Sequence, residues 1–233
     1  AQVSLECGVS NFILVSTDKA VRPTNVMGAS KRIAELVLQA MADIAAKGDH
    51  STNFSMVRFG NVLGSSGSVA PLFSAQIKAG GPITLTHPEV TRYFMTIPEA
   101  CQLVLEAGAM GNGGEIYIFD MGKPVKIIDL AKKMIKLAGF IPDRDIKIEI
   151  VGLRPGEKLY EELLNETSKT VPTYHEKIMI AEEIQDEFET LHADIDELIG
   201  IANFFDNDDI VSKMKKIVPE FKSMNSTYQT LDQ

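Results

Sequence analysis

A short polar segment near the start of the chain could carry out acid–base chemistry. Directly after the apolar run NFILV come four residues with hydroxyl, carboxylate and amine groups: Ser16, Thr17, Asp18 and Lys19. Further along, Met27 and Lys31 are four residues apart, so in a helix they would share one face. That face can point back at the same crevice, where the spacing would bring hydroxyl, carboxylate and two amines together.

This set of groups suits an elimination next to a transient ketone. A sugar that is oxidised at C4 has an acidic C5–H, and it can lose that proton and its C6 hydroxyl as water. The reaction needs a base for the C5 proton, an acid for the leaving hydroxyl and a donor that holds the C4 oxygen. Lys19, Asp18 and Thr17 are chemically suited to those three tasks. A lysine that acts as the base must have its pKa brought from about 10.4 towards 7.

Each of these residues also has a purely structural interpretation. Asp18 would cap a turn, Lys19 would be a solvated loop residue, and Met27 would fill a gap in the core. The surrounding pattern favours chemistry, because the run 11–15 is typical of a buried parallel strand. In open α/β sheets, ligands bind at the carboxyl ends of such strands.

The neighbouring elements predict an α/β fold. Turn chemistry at residues 22–25 leads into apolar residues at helical spacing from Val26, and Gly48 supplies a stop. A second buried strand over 54–64 runs into a Gly/Ser loop. Shorter strands and amphipathic helices follow, and the chain beyond 164 is mostly acidic and expected to be helical. Strand, helix and strand in this order are half of a doubly wound sheet.

Charge and cysteine content limit the classes of function. Residues 1–150 carry 15 Lys and Arg against 14 Asp and Glu, whereas residues 151–233 carry 8 against 18. An acidic region without basic clusters argues against nucleic acid as a partner and is typical of a solvated helical surface. Cys7 and Cys101 are far apart and the four histidines lack ligand-like spacing. We therefore expect reduced thiols, a cytoplasmic protein and no metal site.

The glycine-rich turn of a complete nucleotide-binding domain is not found. Such a domain opens with a strand and a G-x-x-G-x-x-G-type turn, which seats a pyrophosphate on a helix N-terminus. Nothing before Phe12 offers it, and GNVLGSSG (60–67) and GNGGE (111–115) have the wrong spacing and position. We expect a partial, Rossmann-like, doubly wound parallel sheet whose first half is missing.

Four motifs in sequence order then resemble a known family. They are VSTDKAVRPTNVMGASKRIAE, VRFGNVLGSSGSVAPLF, GGPITLTHPEVTRYFMTIPEA and GLRPGEKLYEELL. Together they resemble the UDP-N-acetylglucosamine 4,6-dehydratases, which are lyases of the extended short-chain dehydrogenase/reductase superfamily and serve polysaccharide biosynthesis. The resemblance implies an NAD or NADP cofactor, a UDP-sugar substrate and, by analogy with the superfamily, a homo-oligomer.

The resemblance also implies a role for each matching residue. Thr17 would hydrogen-bond the sugar C4 oxygen, Asp18 would protonate the leaving C6 hydroxyl, and Lys19 would abstract the C5 proton. Lys31 would hold the nicotinamide ribose, and Ser16 would lie near the same ring. The residues implied in UDP-sugar binding are Asn61, Ser65, Ser66, Arg92, Arg154 and Glu157. For the arginines and Glu157, the alternative is a surface ion pair.

Two departures from the family shape the prediction. Without the glycine-rich turn, residues 1–60 look like the C-terminal part of the dinucleotide-binding domain. Residues 61–233 would then be mainly an α+β UDP-sugar domain, with segments near 92–130 returning to the first domain. Such a chain alone should bind cofactor poorly and be inactive. The second departure is Met27, which replaces the superfamily tyrosine. The branch with an N-terminal membrane portion also has methionine here, so a missing membrane-attached segment is conceivable.

Two alternatives remain open at this point. A nucleotide-sugar 4-epimerase or reductase of the same superfamily needs the hydride but no acid–base pair for C6, so Asp18 and Lys19 discriminate against it. A non-catalytic UDP-sugar-binding module would explain Met27 as decay of a catalytic tyrosine. The presence of Thr17, Asp18, Lys19 and Lys31 argues against simple decay.

Overall fold

A computed structural model describes residues 1–48, 50–164, 169–182 and 188–232. The strands in chain order are β1 (Asn11–Val15), β2 (Asn53–Arg58), β3 (Asn61–Val62), β4 (Ile83–Leu85), β5 (Thr91–Arg92), β6 (Phe94–Met95), β7 (Ile116–Phe119), β8 (Val125–Lys126), β9 (Ile148–Ile150), β10 (Lys169–Pro172) and β11 (Ile178–Glu182). The helices are α1 (Gln2–Glu6), α2 (Val26–Lys47), α3 (Val69–Lys78), α4 (Ile97–Met110), α5 (Ile127–Leu137), α6 (Phe188–Ala202) and α7 (Asn207–Ile217). Single 3-10 turns occupy Asp18–Ala20 and Thr227–Leu231.

The main sheet has the strand order β1-β2-β7-β11-β10. Strands β1, β2 and β7 are parallel to one another, and β11 and β10 complete the sheet in antiparallel orientation. The side chains of β2 and β7 are almost all buried, because helices cover the faces of a parallel sheet. The prediction of an α/β fold with a parallel sheet is confirmed.

The antiparallel hairpin β10–β11 corrects the prediction that the chain beyond 164 is mostly helical. Ile178 is almost completely buried against the sheet, and the backbone of β11 pairs with β7 from Ile178 to Ala181. This short apolar run has charged neighbours, so its strand character depends on the sheet edge that receives it. The parts of the predicted acidic, helical region at 165–168 and 183–187 lie outside the described residues.

Helix α2 connects β1 to β2 and covers the sheet. Its N-cap is Asn25, whose side-chain oxygen accepts a hydrogen bond from the backbone N–H of Gly28 at 2.9 Å. A side chain at Gly28 would meet the backbone carbonyl of Lys19, because an added Cβ would lie 2.3 Å from that oxygen. Glycine therefore lets the first turn of α2 pack directly on the 3-10 turn that carries Asp18 and Lys19.

The buried apolar side chains form several clusters. One lies between α2 and the sheet and includes Phe54, Met56 and Ile116. A second joins α3, α5 and β4 around Phe73, and a third packs α6 and α7 on the other face of α2. Helix α4 contacts β1 and β2, so residues 97–119 return to the main sheet. The predicted division into two domains at residue 60 stays a prediction.

Candidate active site

A cleft of about 630 Å³ opens beside the residues that follow β1 and β2. Its wall includes ten of the twelve residues singled out by the sequence: Ser16, Thr17, Lys19, Met27, Asn61, Ser65, Ser66, Arg92, Arg154 and Glu157. The carboxyl ends of parallel strands are where open α/β sheets bind their ligands. The structure thus gathers residues that are up to 141 positions apart in the sequence (16 to 157) around one cavity.

Thr17, Asp18 and Lys19 form one hydrogen-bonded group. The hydroxyl of Thr17 donates to Asp18 Oδ1 at 2.8 Å, and Lys19 Nζ donates to the same oxygen at 2.9 Å. Lys19 Nζ also lies 3.3 Å from Asn61 Oδ1. Thr17 and Lys19 line the cleft, whereas Asp18 is fully buried behind them. The sequence prediction placed Asp18 at the cleft, but the structure connects it to the cleft through its neighbours.

Close backbone packing fixes the position of Asp18. Its N–H donates to the carbonyl of Phe59 at 3.2 Å, which ties the turn to the end of β2. A Cβ added at Gly60 would lie 3.0 Å from Asp18 Oδ2, so glycine leaves just enough room for the carboxylate. Among the described residues, Oδ2 has no hydrogen-bond partner and is closed to solvent.

Arg92 also lines the cleft. It is largely buried, and its Nη1 donates to the carbonyls of Thr91 at 2.7 Å and Leu159 at 3.3 Å. Its Nη2 lies 3.4 Å from Glu157 Oε1, and its Nε lies 3.6 Å from Glu161 Oε1. These contacts hold the guanidinium in a fixed orientation, which suits recognition of a planar or multiply charged anion.

Glu157 is held by donors of the protein itself. Thr86 Oγ1 donates to Glu157 Oε1 at 2.8 Å, and the backbone N–H of Arg154 donates to Oε2 at 3.0 Å. The ion pair with Arg92 is the structural alternative that the sequence left open. Arg154 itself is exposed at the rim of the cleft. The predicted role of Glu157 towards a ribose therefore competes with its role in fixing the wall.

The cleft is also lined by Asn61, Ser65 and Ser66. Asn61 begins β3, and the hydroxyl of Ser65 donates to the carbonyl of Val62 at 2.9 Å, which stabilises the turn before α3. Ser66 is exposed in this turn. The buried hydroxyl of Ser68, the N-cap of α3, has no partner among the described residues.

The residues predicted to lie near a nicotinamide ring have two different environments. Ser16 lines the cleft, but its hydroxyl donates to Glu35 Oε1 at 2.6 Å. Lys31 does not line the cleft; its Nζ lies 3.4 Å from the carbonyl of Val15, at the end of β1. Met27 is 48% exposed on the cleft wall, so it does not fill a gap in the core.

The sequence did not single out Glu161, a buried carboxylate next to Lys19 and Arg92. Its Oε1 lies 4.0 Å from Lys19 Nζ and 3.6 Å from Arg92 Nε. Burial raises the pKa of the Glu161 carboxyl and the charge of Asp18 raises it too, while Lys19, Arg92 and Lys158 lower it. The motif GEKLYEELL contains this residue, but only the tertiary structure distinguishes Glu161 from its exposed neighbours.

Fold and site together define a Rossmann-like α/β protein with a charged ligand cleft at the carboxyl ends of its parallel strands. Residues 1–183 match a family described as polysaccharide biosynthesis protein. Because that match covers most of the chain, this protein belongs to the polysaccharide biosynthesis protein family.

Named relatives agree with this assignment. The capsular polysaccharide biosynthesis protein CapD of Staphylococcus aureus is 60% identical over 178 residues, which are 76% of this chain and 29% of CapD. The probable polysaccharide biosynthesis protein EpsC of Bacillus subtilis is 50% identical over 184 residues, 79% of this chain and 30% of EpsC. A UDP-glucose 4-epimerase of Rickettsia akari is 40% identical over 158 residues, 67% of this chain and 44% of that protein. The chain thus spans less than half the length of each.

Solved structures confirm the fold. Pen from Bacillus thuringiensis has 35% identity and a TM-score of 0.69, covering 80% of this chain and 57% of Pen. A dTDP-glucose 4,6-dehydratase from Bacillus anthracis in complex with NAD has 16% identity and a TM-score of 0.54, covering 65% of this chain and 53% of that one. The second similarity is one of fold alone. Within the described ranges, no helix is long and apolar enough to cross a membrane.

Proposed function

We propose that this chain is the substrate-binding and acid–base part of a nucleotide-sugar 4,6-dehydratase. The substrate would be UDP-N-acetylglucosamine and the product a UDP-linked 4-keto-6-deoxy sugar. The observation that carries the proposal is the group formed by Thr17, Asp18 and Lys19 at the cleft wall, with Nζ of Lys19 2.9 Å from Asp18 Oδ1. A base and an acid in direct contact are what an elimination of water requires and what a simple hydride transfer does not.

The proposed chemistry balances within this group. The C4 hydroxyl loses a hydride and a proton, and the proton goes to Asp18 either directly or through Lys19, which leaves Lys19 neutral. Neutral Lys19 then removes the C5 proton, and the C6 oxygen leaves as water with a proton that comes from Asp18. Thr17 lines the cleft and its hydroxyl contacts Asp18 Oδ1, so it joins the buried carboxyl to the sugar. The hydride finally returns to C6 and Lys19 returns a proton to C5, which restores the cofactor and leaves a methyl group at C6.

The residues at the end of β1 fit a nicotinamide cofactor, NAD or NADP. When bound, such a group accepts the hydride from C4 and gives it back to C6. Lys31 Nζ is held by one long hydrogen bond to the carbonyl of Val15, so the ammonium group is available to ribose hydroxyls at that strand end. Ser16 is less available, because its hydroxyl already donates to Glu35.

The charged walls of the cleft suit a diphosphate. Arg92 is oriented by two backbone carbonyls and Arg154 is exposed at the rim, so a diphosphate between them would receive charge-assisted hydrogen bonds from both guanidinium groups. Glu157 would then keep Arg92 in place and would contact a ribose hydroxyl with its remaining acceptor capacity.

The test uses the full-length protein with its cofactor and UDP-N-acetylglucosamine in heavy water. NMR of the product should show a 4-keto-6-deoxy sugar with deuterium at C5. A product with an intact C6 hydroxyl and inverted C4 would instead identify a 4-epimerase. That second candidate is supported by the 40% identity to a UDP-glucose 4-epimerase. The absence of any turnover would favour a UDP-sugar-binding module.

A substitution tests the role of Lys19 directly. Lys19→Met should abolish exchange of the C5 proton while UDP-sugar binding stays within a few-fold of the wild type, because Asn61 and both arginines remain. The matched control is Lys47→Met at the end of α2, where the lysine side chain is 82% exposed. Unchanged exchange in Lys19→Met would contradict the assignment of Lys19 as the base.

A further inference from the structure

The acid–base pair has a third ionisable member. Glu161 comes from the loop after β9, far from Asp18 and Lys19 in the sequence, and its carboxylate is 4% exposed. It approaches Lys19 Nζ to 4.0 Å with Oε1 and has no hydrogen-bond partner for Oε2 among the described residues. Two buried carboxylates, Asp18 and Glu161, therefore flank one lysine, and each has an oxygen that no donor from the described part of the chain reaches.

An unpartnered buried oxygen is costly when the carboxylate is charged and much less so when it is neutral. Two carboxylates in one desolvated site also disfavour double ionisation, because like charges in a low dielectric repel strongly. The positive groups that face Glu161 are Lys19, Arg92 and Lys158, and the negative group is Asp18. Despite the three cations, the pKa of the Glu161 carboxyl is raised, and burial is the largest cause.

We propose that Glu161 is a positioning residue for the acid–base pair, whose buried carboxylate keeps a proton on the Asp18–Lys19–Glu161 cluster. This inference rests on the proposed function, because dehydration requires Asp18 to carry a proton while Lys19 is neutral. In the structure Lys19 Nζ lies 2.9 Å from Asp18 Oδ1, which is hydrogen-bond distance, so a proton can pass between the two groups. When Glu161 is ionised, its negative charge makes the Asp18–Lys19 pair hold a proton more firmly, so the cluster can supply the proton that leaves with the C6 oxygen.

Glu161 also connects the reacting groups to the anion-binding wall. The Oε1 atom that lies near Lys19 is 3.6 Å from Arg92 Nε. A diphosphate that binds Arg92 draws positive charge away from Glu161, and this increases the tendency of the cluster to hold a proton. Substrate binding and readiness of the acid would thus be coupled through one carboxylate.

The first experiment is the pH profile of product formation by the full-length enzyme. The rate should fall at low pH, where the Asp18–Lys19 pair holds two protons, and at high pH, where it holds none. Glu161→Gln removes a carboxylate that is negatively charged whenever the shared proton lies on Asp18 or Lys19, so this pair should lose its protons at lower pH. The whole bell-shaped profile should move to lower pH by about one unit, while KM for the UDP-sugar changes little.

Two variants separate this role from a structural one. Glu161→Asp keeps the charge and should restore the position of the profile even if its height falls. Glu162→Gln makes the same change one residue later, at a carboxylate that pairs with Arg22 and Lys158, and should leave the position of the profile unchanged. A Glu161→Gln profile that is lower but not displaced would overturn the proposal.

A second measurement does not depend on dehydratase activity. Full-length protein with ¹³C-carboxyl-labelled glutamate should give one NMR signal that disappears in Glu161→Gln. The pKa obtained from the pH dependence of this signal should lie above the reference glutamate pKa of about 4.3. Titration at or below that value would contradict the proposal. If the wild type forms no 6-deoxy product but this signal titrates high, the proposed function fails and the shared proton stands.

Discussion

Two completely buried carboxylates close to the end of β1 have opposite surroundings. Glu35, on α2, accepts hydrogen bonds at both oxygens: from Ser16 Oγ at 2.6 Å, from Nε and Nη2 of Arg58, and from Arg32 Nη1 at 3.1 Å. Asp18 accepts two hydrogen bonds, both at Oδ1, and Oδ2 has no partner among the described residues. Glu35 therefore accepts hydrogen bonds at both of its oxygens, whereas Asp18 accepts them at one.

The difference indicates what each carboxylate does. Glu35 lies between two arginines and connects α2 to β2, so its charge is compensated and its contribution is to stability. In the described part of the chain, Asp18 pairs with a single lysine, Lys19, which lines the cleft. The Nζ atom of Lys19 also donates to Asn61 Oδ1. Unsatisfied buried polar groups persist where function requires them. The same type of side chain thus stabilises the fold at one site and, in the proposed function, would transfer a proton at the other.

The largest effect should come from breaking the satisfied carboxylate. Glu35→Gln leaves the buried guanidinium of Arg58 next to a neutral amide, and removing one partner of a buried ion pair typically costs about 3–5 kcal/mol. We expect the free energy of unfolding to fall by about that amount in urea denaturation followed by circular dichroism.

The comparison variant for stability is Asp18→Asn, which has the same chemistry at the other carboxylate. Its free energy of unfolding should change by less than about 1 kcal/mol, because Lys19 is partly exposed and keeps Asn61 as a partner, and because Oδ2 has no partner among the described residues to lose. Equal losses in Glu35→Gln and Asp18→Asn would show that the two carboxylates do not differ as described.

Activity should show the reverse order. Asp18→Asn cannot carry the proton for the leaving C6 oxygen, so product formation by the full-length enzyme should fall at least about a hundredfold, close to 3 kcal/mol in the barrier. The measurement is the rate of 6-deoxy product formation at the pH optimum of the wild type. Activity within tenfold of the wild type would exclude Asp18 as the acid.

Local signals predicted one part of this comparison. The strand β1 and helix α2 follow from apolar spacing and turn chemistry over a few neighbouring residues, and the structure has them where the sequence placed them. The structure identifies Asn25, one of the turn residues 22–25, as the cap of α2. Thr17, Asp18 and Lys19 are adjacent, so their hydrogen-bonded group could be foreseen from their types. The hairpin β10–β11 could not, because its apolar run is short and its pairing depends on β7.

Long-range contacts explain what the sequence missed in the site. In the sequence Glu35 looks like a surface residue of a helix, and only the fold brings Arg58 within hydrogen-bond distance of it. Glu161 is 142 positions from Lys19 (19 to 161), yet its Oε1 lies only 4.0 Å from Lys19 Nζ. Ser16 was expected near a nicotinamide ring, but its hydrogen bond to Glu35 depends on the same tertiary approach. Residue types predicted the chemistry, whereas the charge balance came from packing.

A smaller effect should appear at the edge of the Glu35 cluster. Arg32 Nε donates to Glu220 Oε1 at 3.2 Å, and the Glu220 side chain is 31% exposed. Glu220 belongs to a C-terminal segment whose Lys222 N–H donates to the carbonyl of Pro23, just before α2. Glu220→Gln should lower the free energy of unfolding by about 0.5–1 kcal/mol, as is usual for partly exposed pairs.

Its control is Asp43→Asn, at an ion pair with Lys47 in which the lysine side chain is largely exposed. This variant should unfold like the wild type. A loss for Glu220→Gln as large as that for Glu35→Gln would mean that the cluster behaves as one unit, from its buried centre to its solvent edge.

The smallest effect should come from a substitution of Met27. This residue lines the same cleft as Lys19, but its side chain is apolar and cannot transfer a proton. Its side chain is 48% exposed, so Met27→Leu keeps the apolar surface and nearly the same volume without forcing the core to repack. If proton transfer belongs to Asp18 and Lys19, kcat/KM for the UDP-sugar should stay within about threefold of the wild type, less than 1 kcal/mol. A thousandfold loss would place the thioether among the reacting groups, and the contrast between the buried carboxylates would no longer account for the chemistry.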